Sequence, residues 1–441
     1  MKLRLVSALP MLAAMALASA QNHVTRPLPA PEGPVVIENV VLHPVSAPPI
    51  ARGWLRFEAG RITGLGAGEA PTEDGVLRVD AEGLALYPGF LSAHTTLGLV
   101  EIGAVRATVD TAETGPINPN ARAESAINPD SELIPVARSG GVLYALSVPQ
   151  AGELGVLVGT SALIRLDGWS TQDMLVRAPV AMHLFWPSGE LPPWLPEPIR
   201  RQAEERARER RSALGEAFAA ARRYADFTEP PARDLRWEAL RPVIAREIPL
   251  FIHADERADL VAALDFAERE KLRVVLVGAQ DAGEILERLR ALDVPVILNG
   301  THWLPRRRGD AVSAPFELPR RLYEAGIRFA IASSGRDSTN ERNLPFDAAT
   351  AVAWGLPREE ALKAITLYPA EILGVADRLG SLDPGKEASF ILVEGDPLEI
   401  RSRIHAAWIA GRPIQLDDRH RRFYEKYLEK QRRSAHRREG A

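Results

Sequence analysis

The stretch from Tyr87 to Leu99 has the sequence YPGFLSAHTTLGL, and it decides the fold. A Pro-Gly step introduces an apolar run that ends at His94, and the polar pair Thr95 and Thr96 follows directly. This pattern predicts a buried strand that breaks into a loop immediately after a histidine. An imidazole in that position can bind a metal or transfer a proton, because its pKa lies near neutrality.

From this stretch onward, apolar runs alternate with helical stretches, which is typical of parallel βα units. Eight such units over about 290 residues indicate a TIM (β/α)8 barrel with insertions. The second and third runs would also fit a hairpin. The predicted barrel strands are Ala85–Ala93, Gly141–Val148, Gly159–Leu166, Pro179–Phe185, Pro249–His253, Arg273–Val277, Pro295–Leu298 and Arg328–Ala332.

The barrel is predicted to span residues 85–378, with short strands on both sides of it. Residues 35–84 contain alternating runs separated by Gly and Pro, as in a small antiparallel sheet. Residues 379–415 return to strands, and the tail 416–441 has nine Lys or Arg against five Asp or Glu. The tail predicts a solvated helix, and contact with a membrane surface or a partner is the alternative.

Residues 1–20 have the composition of a secretory signal peptide, with a basic start, an apolar stretch and a small-residue cleavage site before Gln21. Residues 21–34 are proline-rich and predict an extended linker. We therefore expect an exported, periplasmic or secreted bacterial protein, with a non-cleaved anchor as the alternative. No later segment is apolar enough to predict a transmembrane helix.

Composition limits the possible chemistry. The 441 residues include no cysteine, so disulfides and thiolate metal sites are excluded. Any metal would bind to His, Asp, Glu or main-chain oxygen, which suits zinc or a similar ion. The net charge of -4 gives no sign of nucleic-acid binding.

Three motifs in order resemble the amidohydrolase superfamily, in its imidazolonepropionase-like and dipeptidase-like branch. Residues 88–96 resemble its first barrel strand, Pro-Gly-apolar-apolar-Asp-x-His-x-His, although Ser92 stands at the Asp position. Residues 361–374 (ALKAITLYPAEILG) resemble its last barrel helix, and residues 379–393 (LGSLDPGKEASFILV) its closing motif, with Ser389 in place of Asp. The resemblance implies a composite β-sandwich of 35–84 and 379–415, a small-molecule substrate and hydrolysis of C–N bonds.

The metal ligands implied by this resemblance are only partly present. His94 and His253 match the histidines of the first and fifth strands, whereas Thr96, Gly278 and Ser334 stand at three other ligand positions. The standard two-metal centre is therefore not expected.

His183 falls near the ligand position of the fourth strand. A hydrolytic zinc needs about three protein ligands and an open position for water. We therefore predict one zinc or similar divalent ion held by His94, His183 and His253, or no metal, with Asp337 as a substitute general base.

A long polar loop, residues 98–138, follows the first barrel strand. Such loops are usually functional or mobile, and we predict that Arg106, Arg122 and Asp130, together with His302 after the seventh strand, contact substrate. An internally hydrogen-bonded lid without ligand contact is the alternative.

Two functions stay open at this point. One is an exported hydrolase of cyclic amides, other non-peptide amides or dipeptides, with at most one metal ion. The other is a degenerate barrel that binds a ligand or partner without hydrolysis. The sequence does not indicate the substrate or the oligomeric state.

Overall fold

The computed structural model describes residues 26–191, 194–230, 232–333 and 338–439. The predicted signal peptide, residues 1–20, lies outside the described residues, and so do Ser334 and Asp337.

Strands from both ends of the chain form one composite sheet. Its order is β18-β17-β16-β5-β1-β2-β3, and β4 pairs with β1. The central contact joins β16 to β5 in antiparallel register, so residues near the C-terminus complete a sheet begun near the N-terminus. The strands of this sheet are β1 (Val35–Leu42), β2 (Ile50–Glu58), β3 (Arg61–Ala67), β4 (Leu77–Asp80), β5 (Ala85–Pro88), β16 (Phe390–Glu394), β17 (Arg403–Ile409) and β18 (Arg412–Pro413).

The composite sheet encloses a hydrophobic core separate from that of the barrel. Phe390 lies at its centre, with its ring centroid 5.6 Å from that of Phe57 and 5.0 Å from that of Trp408. Burying several such aromatic rings contributes strongly to the free energy of folding, so this small sheet is a stable unit beside the barrel.

The remaining strands belong to a TIM-type barrel with helices around it. The barrel strands are β6 (Phe90–Thr95), β7 (Val142–Ser147), β8 (Leu157–Thr160), β9 (Ala162–Arg165), β10 (Leu175–Arg177), β11 (Met182–Phe185), β12 (Leu250–Ala254), β13 (Val274–Gly278), β14 (Val296–Asn299) and β15 (Phe329–Ala332). The helices are α1 (Leu133–Ser139), α2 (Thr171–Met174), α3 (Glu197–Ala225), α4 (Leu235–Ile244), α5 (Arg257–Arg269), α6 (Leu286–Ala291), α7 (Ala314–Glu324), α8 (Leu344–Ala353), α9 (Arg358–Lys363), α10 (Leu367–Ile372) and α11 (Arg419–Glu439).

The second and third predicted barrel strands pair antiparallel, as in the hairpin that these two runs would also fit, so the expectation of a parallel third strand is wrong. Residues 159–166 do not form one parallel strand, because β9 pairs antiparallel with β7 and β8 pairs antiparallel with β11. The connection from β7 to β8 covers only residues 148–156 and contains no helix. A parallel crossover needs a dozen or more residues, so this short connection forces the chain to turn back.

The first predicted run, Ala85–Ala93, serves both parts of the fold. Residues up to Pro88 pair in the composite sheet, and β6 pairs with β7 in the barrel. Gly89 joins the two, and a Cβ added there would lie 2.3 Å from Leu143 Cδ1. Glycine, which has no Cβ, is therefore the residue that fits where the chain leaves the composite sheet and enters the barrel.

The strands β11 to β15 run parallel, so their C-terminal ends meet at one edge of the barrel. The end of β6 lies at the same edge, since His94, the next to last residue of β6, contacts Asn299, the last residue of β14. In TIM barrels this edge is where catalytic side chains are placed.

Candidate active site

Three histidines from different strands lie close together near the C-terminal edge of the barrel, with His183 level with Phe251 and therefore two residues deeper than His253. His94 comes from β6, His183 from β11 and His253 from β12. The ring centroid of His253 is 5.0 Å from that of His94 and 5.2 Å from that of His183. His94 and His183 are buried, and His253 is half-buried.

Hydrogen bonds fix how these rings are oriented. The Nδ1 atom of His94 lies 2.6 Å from the side-chain Oδ1 of Asn299, at the end of β14. An amide oxygen can only accept, so Nδ1 of His94 carries the proton and its Nε2 carries the lone pair. Nδ1 of His183 is 2.9 Å from Nε2 of His253, and Phe185 stacks on the His253 ring at 4.0 Å.

The surroundings of His183 favour its neutral form. Burial lowers the pKa of His183 well below its ordinary value, and the neighbouring His94 lowers this pKa further. Its Nε2 atom is buried and has no hydrogen-bond partner among the described residues. Neutral imidazole is the form that binds metal.

The chemistry of these donors fits one zinc-type ion. Three neutral imidazoles form a known ligand set for catalytic zinc, and an acceptor on the second ring nitrogen, as Asn299 provides, orients such a ligand. Within the described part of the chain, however, no group of three His, Asp or Glu side chains is already placed to hold an ion. The hydrogen bond between His183 and His253 would have to open for both nitrogens to face a metal.

At one of the positions where the resemblance implies a metal ligand, another group fills the space. At the end of β13, a Cβ added to Gly278 would lie 2.5 Å from Oδ1 of Asp255. The Asp255 carboxylate thus occupies the space that a side chain at 278 would need. Thr96 is buried, and its hydroxyl has no hydrogen-bond partner among the described residues. The third position, Ser334, lies outside the described residues.

Part of the loop after β6 runs along the barrel wall. Backbone bridges join Ile117 to Leu157 and Arg122 to Thr160, along β8. Arg106 donates to the carbonyl of Val109 within the same loop.

The other predicted loop contacts are also exposed. Arg122 has 67% of its side chain exposed and lies 3.8 Å from Glu124, and Asp130 is exposed. The predicted roles of Arg106, Arg122 and Asp130 in substrate binding therefore stay predictions.

His302 also points away from the imidazole cluster. Its Nε2 lies 2.8 Å from the Thr350 hydroxyl, and its Nδ1 lies 3.3 Å from Oδ1 of Asp347, both on α8. This arrangement ties the loop after β14 to helix α8. A contact between His302 and substrate stays a prediction.

Sequence reasoning missed two groups at this edge. Asn299 orients His94, and a polar residue at the end of a predicted strand was a usable signal for it. Arg306 lies 3.5 Å from Asp255 and 3.4 Å from Gln280, and it also pairs with Glu256. Its loop therefore covers the ends of β12 and β13, and the run of three arginines at 306–308 was the available signal.

Known proteins are similar to this chain in sequence and in fold. A family model described as "Amidohydrolase family" matches residues 309–416. Amidohydrolase tasK of Hapsidospora irregularis is 27% identical over 413 residues, which are 83% of this chain and 40% of that protein. The chain thus spans less than half the length of this relative.

Two further proteins match over most of their length. An imidazolonepropionase from Symbiobacterium thermophilum is 28% identical over 388 residues, covering 78% of this chain and 84% of that protein. The crystal structure of an amidohydrolase from Thermotoga maritima superimposes with a TM-score of 0.76 at 24% identity, covering 86% of this chain and 99% of that one. The structural likeness establishes the fold.

Proposed function

Since this chain belongs to the amidohydrolase superfamily, we propose that it hydrolyses a C–N bond in a small molecule, using at most one divalent ion. Its relatives are hydrolases of such bonds, including the imidazolonepropionases. Cyclic amides, other non-peptide amides and dipeptides are the proposed substrate classes. The observation that supports this proposal is the convergence of three imidazoles at the edge of the barrel.

The residues of this chain would act on the ion in distinct ways. His94, His183 and His253 would hold it, and Asn299 would keep the proton of His94 on Nδ1 so that Nε2 stays available. Phe185 restrains the His253 ring by stacking. When bound, such an ion supplies Lewis-acid activation of water and of the substrate carbonyl.

The general base is proposed on the sequence alone. Asp337 is the nearest carboxylate after the eighth predicted strand, and it lies outside the described residues. A carboxylate near the barrel edge would accept a proton from water during hydrolysis.

We also propose that the protein is exported, on the evidence of residues 1–20. Among the described residues, no helix combines the length and apolarity needed to cross a bilayer.

A second function is favoured by one specific observation. Asp255 fills the space at Gly278, where the resemblance implies a metal-binding histidine. A barrel that has lost this ligand and has refilled its space would suit a protein that binds a small molecule without hydrolysing it.

Metal analysis combined with a substrate panel tests the proposal. Protein purified without chelator is expected to contain about one zinc-type ion per chain, and His253→Ala should lose it. His405→Ala is the matched control, because His405 is an exposed histidine that pairs with Glu394 in the composite sheet.

Turnover of cyclic amides or dipeptides, dependent on added zinc and lost in His253→Ala, would support hydrolysis. Protein that binds no zinc and shows no turnover, but is stabilised against heat by the same compounds, would contradict hydrolysis and support the second function.

A further inference from the structure

The C-terminal helix α11 has an amphipathic pattern that neither the barrel nor the composite sheet uses. Phe423, Tyr424, Tyr427 and Leu428 are spaced i, i+1, i+4 and i+5, which places them on one face of a helix. The side chains described here, residues 419–434, include seven Lys or Arg and two Glu. This combination of an aromatic stripe and surrounding cations is typical of helices that lie on membrane surfaces.

The first turn of α11 is attached to the body of the protein. The Asp418 carboxylate accepts from the backbone N–H groups of His420 and Arg421, at 2.7 and 3.0 Å, and so caps the helix. Arg422 forms an ion pair with Glu132 at 3.0 Å.

Beyond Arg422, the side-chain hydrogen bonds, ion pairs and ring contacts of the described residues stay within the helix. They include Lys426 above the rings of Phe423 and Tyr427 and a hydrogen bond from Ser434 to the Lys430 carbonyl. Among the described side chains beyond Arg422, no such contact ties the aromatic residues of this helix to the barrel or to the composite sheet.

The uncovered face is large for a helix that does not pack against the core. Phe423 is 43% exposed, Tyr427 55% and Tyr424 66%. A contiguous exposed aromatic surface is a mark of an interaction site. Tyrosine is enriched where one end of a side chain meets lipid and the other meets water.

A concave cationic space lies at the base of the helix. This cavity of about 490 Å³ is lined by Arg419, Arg422, Phe423, Lys426 and Glu132. Three cations around one space, with a single carboxylate already paired to Arg422, favour an anionic group such as a phosphodiester.

We propose that α11 docks this protein on the surface of an anionic phospholipid bilayer, with its aromatic stripe in the interface and its cations among the headgroups. The charge complementarity between a cationic helix and anionic lipid selects this occupant over a second copy of the chain, since two such helices repel each other. The proposal is independent of the hydrolytic function.

Vesicle co-sedimentation of the full-length protein tests the proposal. We expect binding to phosphatidylcholine vesicles that contain phosphatidylglycerol, little binding to pure phosphatidylcholine, and loss of binding at high salt. The triple substitution Phe423→Ser, Tyr424→Ser and Tyr427→Ser should lower the partition coefficient roughly tenfold or more. Tyr323→Ser, which alters an exposed tyrosine on α7, should leave it unchanged.

A charge-matched comparison separates docking from general attraction. Lys426→Glu with Lys430→Glu should abolish binding, whereas Arg206→Glu with Arg223→Glu, which makes the same change in net charge on exposed positions of α3, should preserve it. Unchanged thermal unfolding in all variants would show that the barrel is intact.

Three outcomes would overturn the proposal. The first is an equal loss of vesicle binding in the two charge variants. The second is equal binding to vesicles with and without phosphatidylglycerol. The third is the absence of vesicle binding together with dimers whose formation depends on the aromatic stripe.

Discussion

Restoring a histidine at position 278 should damage the fold and should not recover a metal ligand. Gly278 has a φ of +86°, a conformation that side chains rarely adopt. A residue other than glycine in this left-handed backbone conformation costs about 1–2 kcal/mol of stability. The new Cβ would also lie 2.5 Å from Oδ1 of Asp255, whose other oxygen, Oδ2, contacts Arg306 at 3.5 Å.

The expected loss of stability can be built up in two steps. Gly278→Ala should lower the free energy of unfolding by about 2 kcal/mol, from the backbone strain and the displaced carboxylate. Gly278→His should lower it by roughly 3–5 kcal/mol, because overpacking adds about 1–3 kcal/mol. Urea unfolding followed by far-UV circular dichroism measures both values.

A glycine in an open helical position is the matched control. Gly215 lies within α3, and a Cβ added there meets no atom within 4 Å. Gly215→Ala should therefore stabilise the protein by about 0.5–1 kcal/mol. If Gly278→Ala is as stable as the wild type, or Gly278→His binds an additional zinc ion in calorimetric titration, the account of this position is wrong.

Three further predictions concern other buried contacts. Asn299→Ala removes the acceptor for Nδ1 of His94, so zinc affinity measured by calorimetry should fall by about 10–100-fold; unchanged affinity would refute the orienting role. Burial raises the pKa of Asp347, so this carboxylate takes up its proton at a higher pH in the folded state than in the unfolded chain. At a pH above the pKa of the folded state, the ionised carboxylate therefore reduces the stability of the fold. Asp347→Asn should therefore stabilise the protein near neutral pH, and this gain should shrink as the pH falls. Urea unfolding at several pH values tests this, because a stability difference between variant and wild type that does not change with pH would contradict the prediction. Ser389→Asp would introduce a carboxylate where the serine hydroxyl now lies 2.6 Å from the buried hydroxyl of Tyr144, which already donates to Glu387. The variant should lose about 3 kcal/mol of stability in thermal or urea unfolding, and a variant as stable as the wild type would contradict this packing.

The parts of the fold with a regular hydrophobic period were predictable from the sequence. The strand ending at His94 and the strand ending near His253 were predicted within a few residues, because buried parallel strands leave continuous apolar runs. The placement of histidines at the strand ends followed from the parallel arrangement, since such ends share one edge of the barrel.

Features that depend on distant contacts were not predictable. The direction of residues 159–166 is set by the short connection before them, and an apolar run has the same composition in either direction. The Asp255 carboxylate fills the space beside Gly278 only because the neighbouring strands β12 and β13 are in register. The contact between Asn299 and His94 joins residues 205 positions apart, which no local pattern encodes.

The pairing of β5 with β16 also constrains how the chain is made. Pro88 pairs with Phe390, so one edge of β5 finds its partner only when the ribosome has added roughly 300 further residues. During that interval the nascent chain has a hydrophobic strand with unpaired backbone groups, which can join a strand of another molecule. Aggregation should therefore threaten this protein mainly during its synthesis, before the last strands close the sheet.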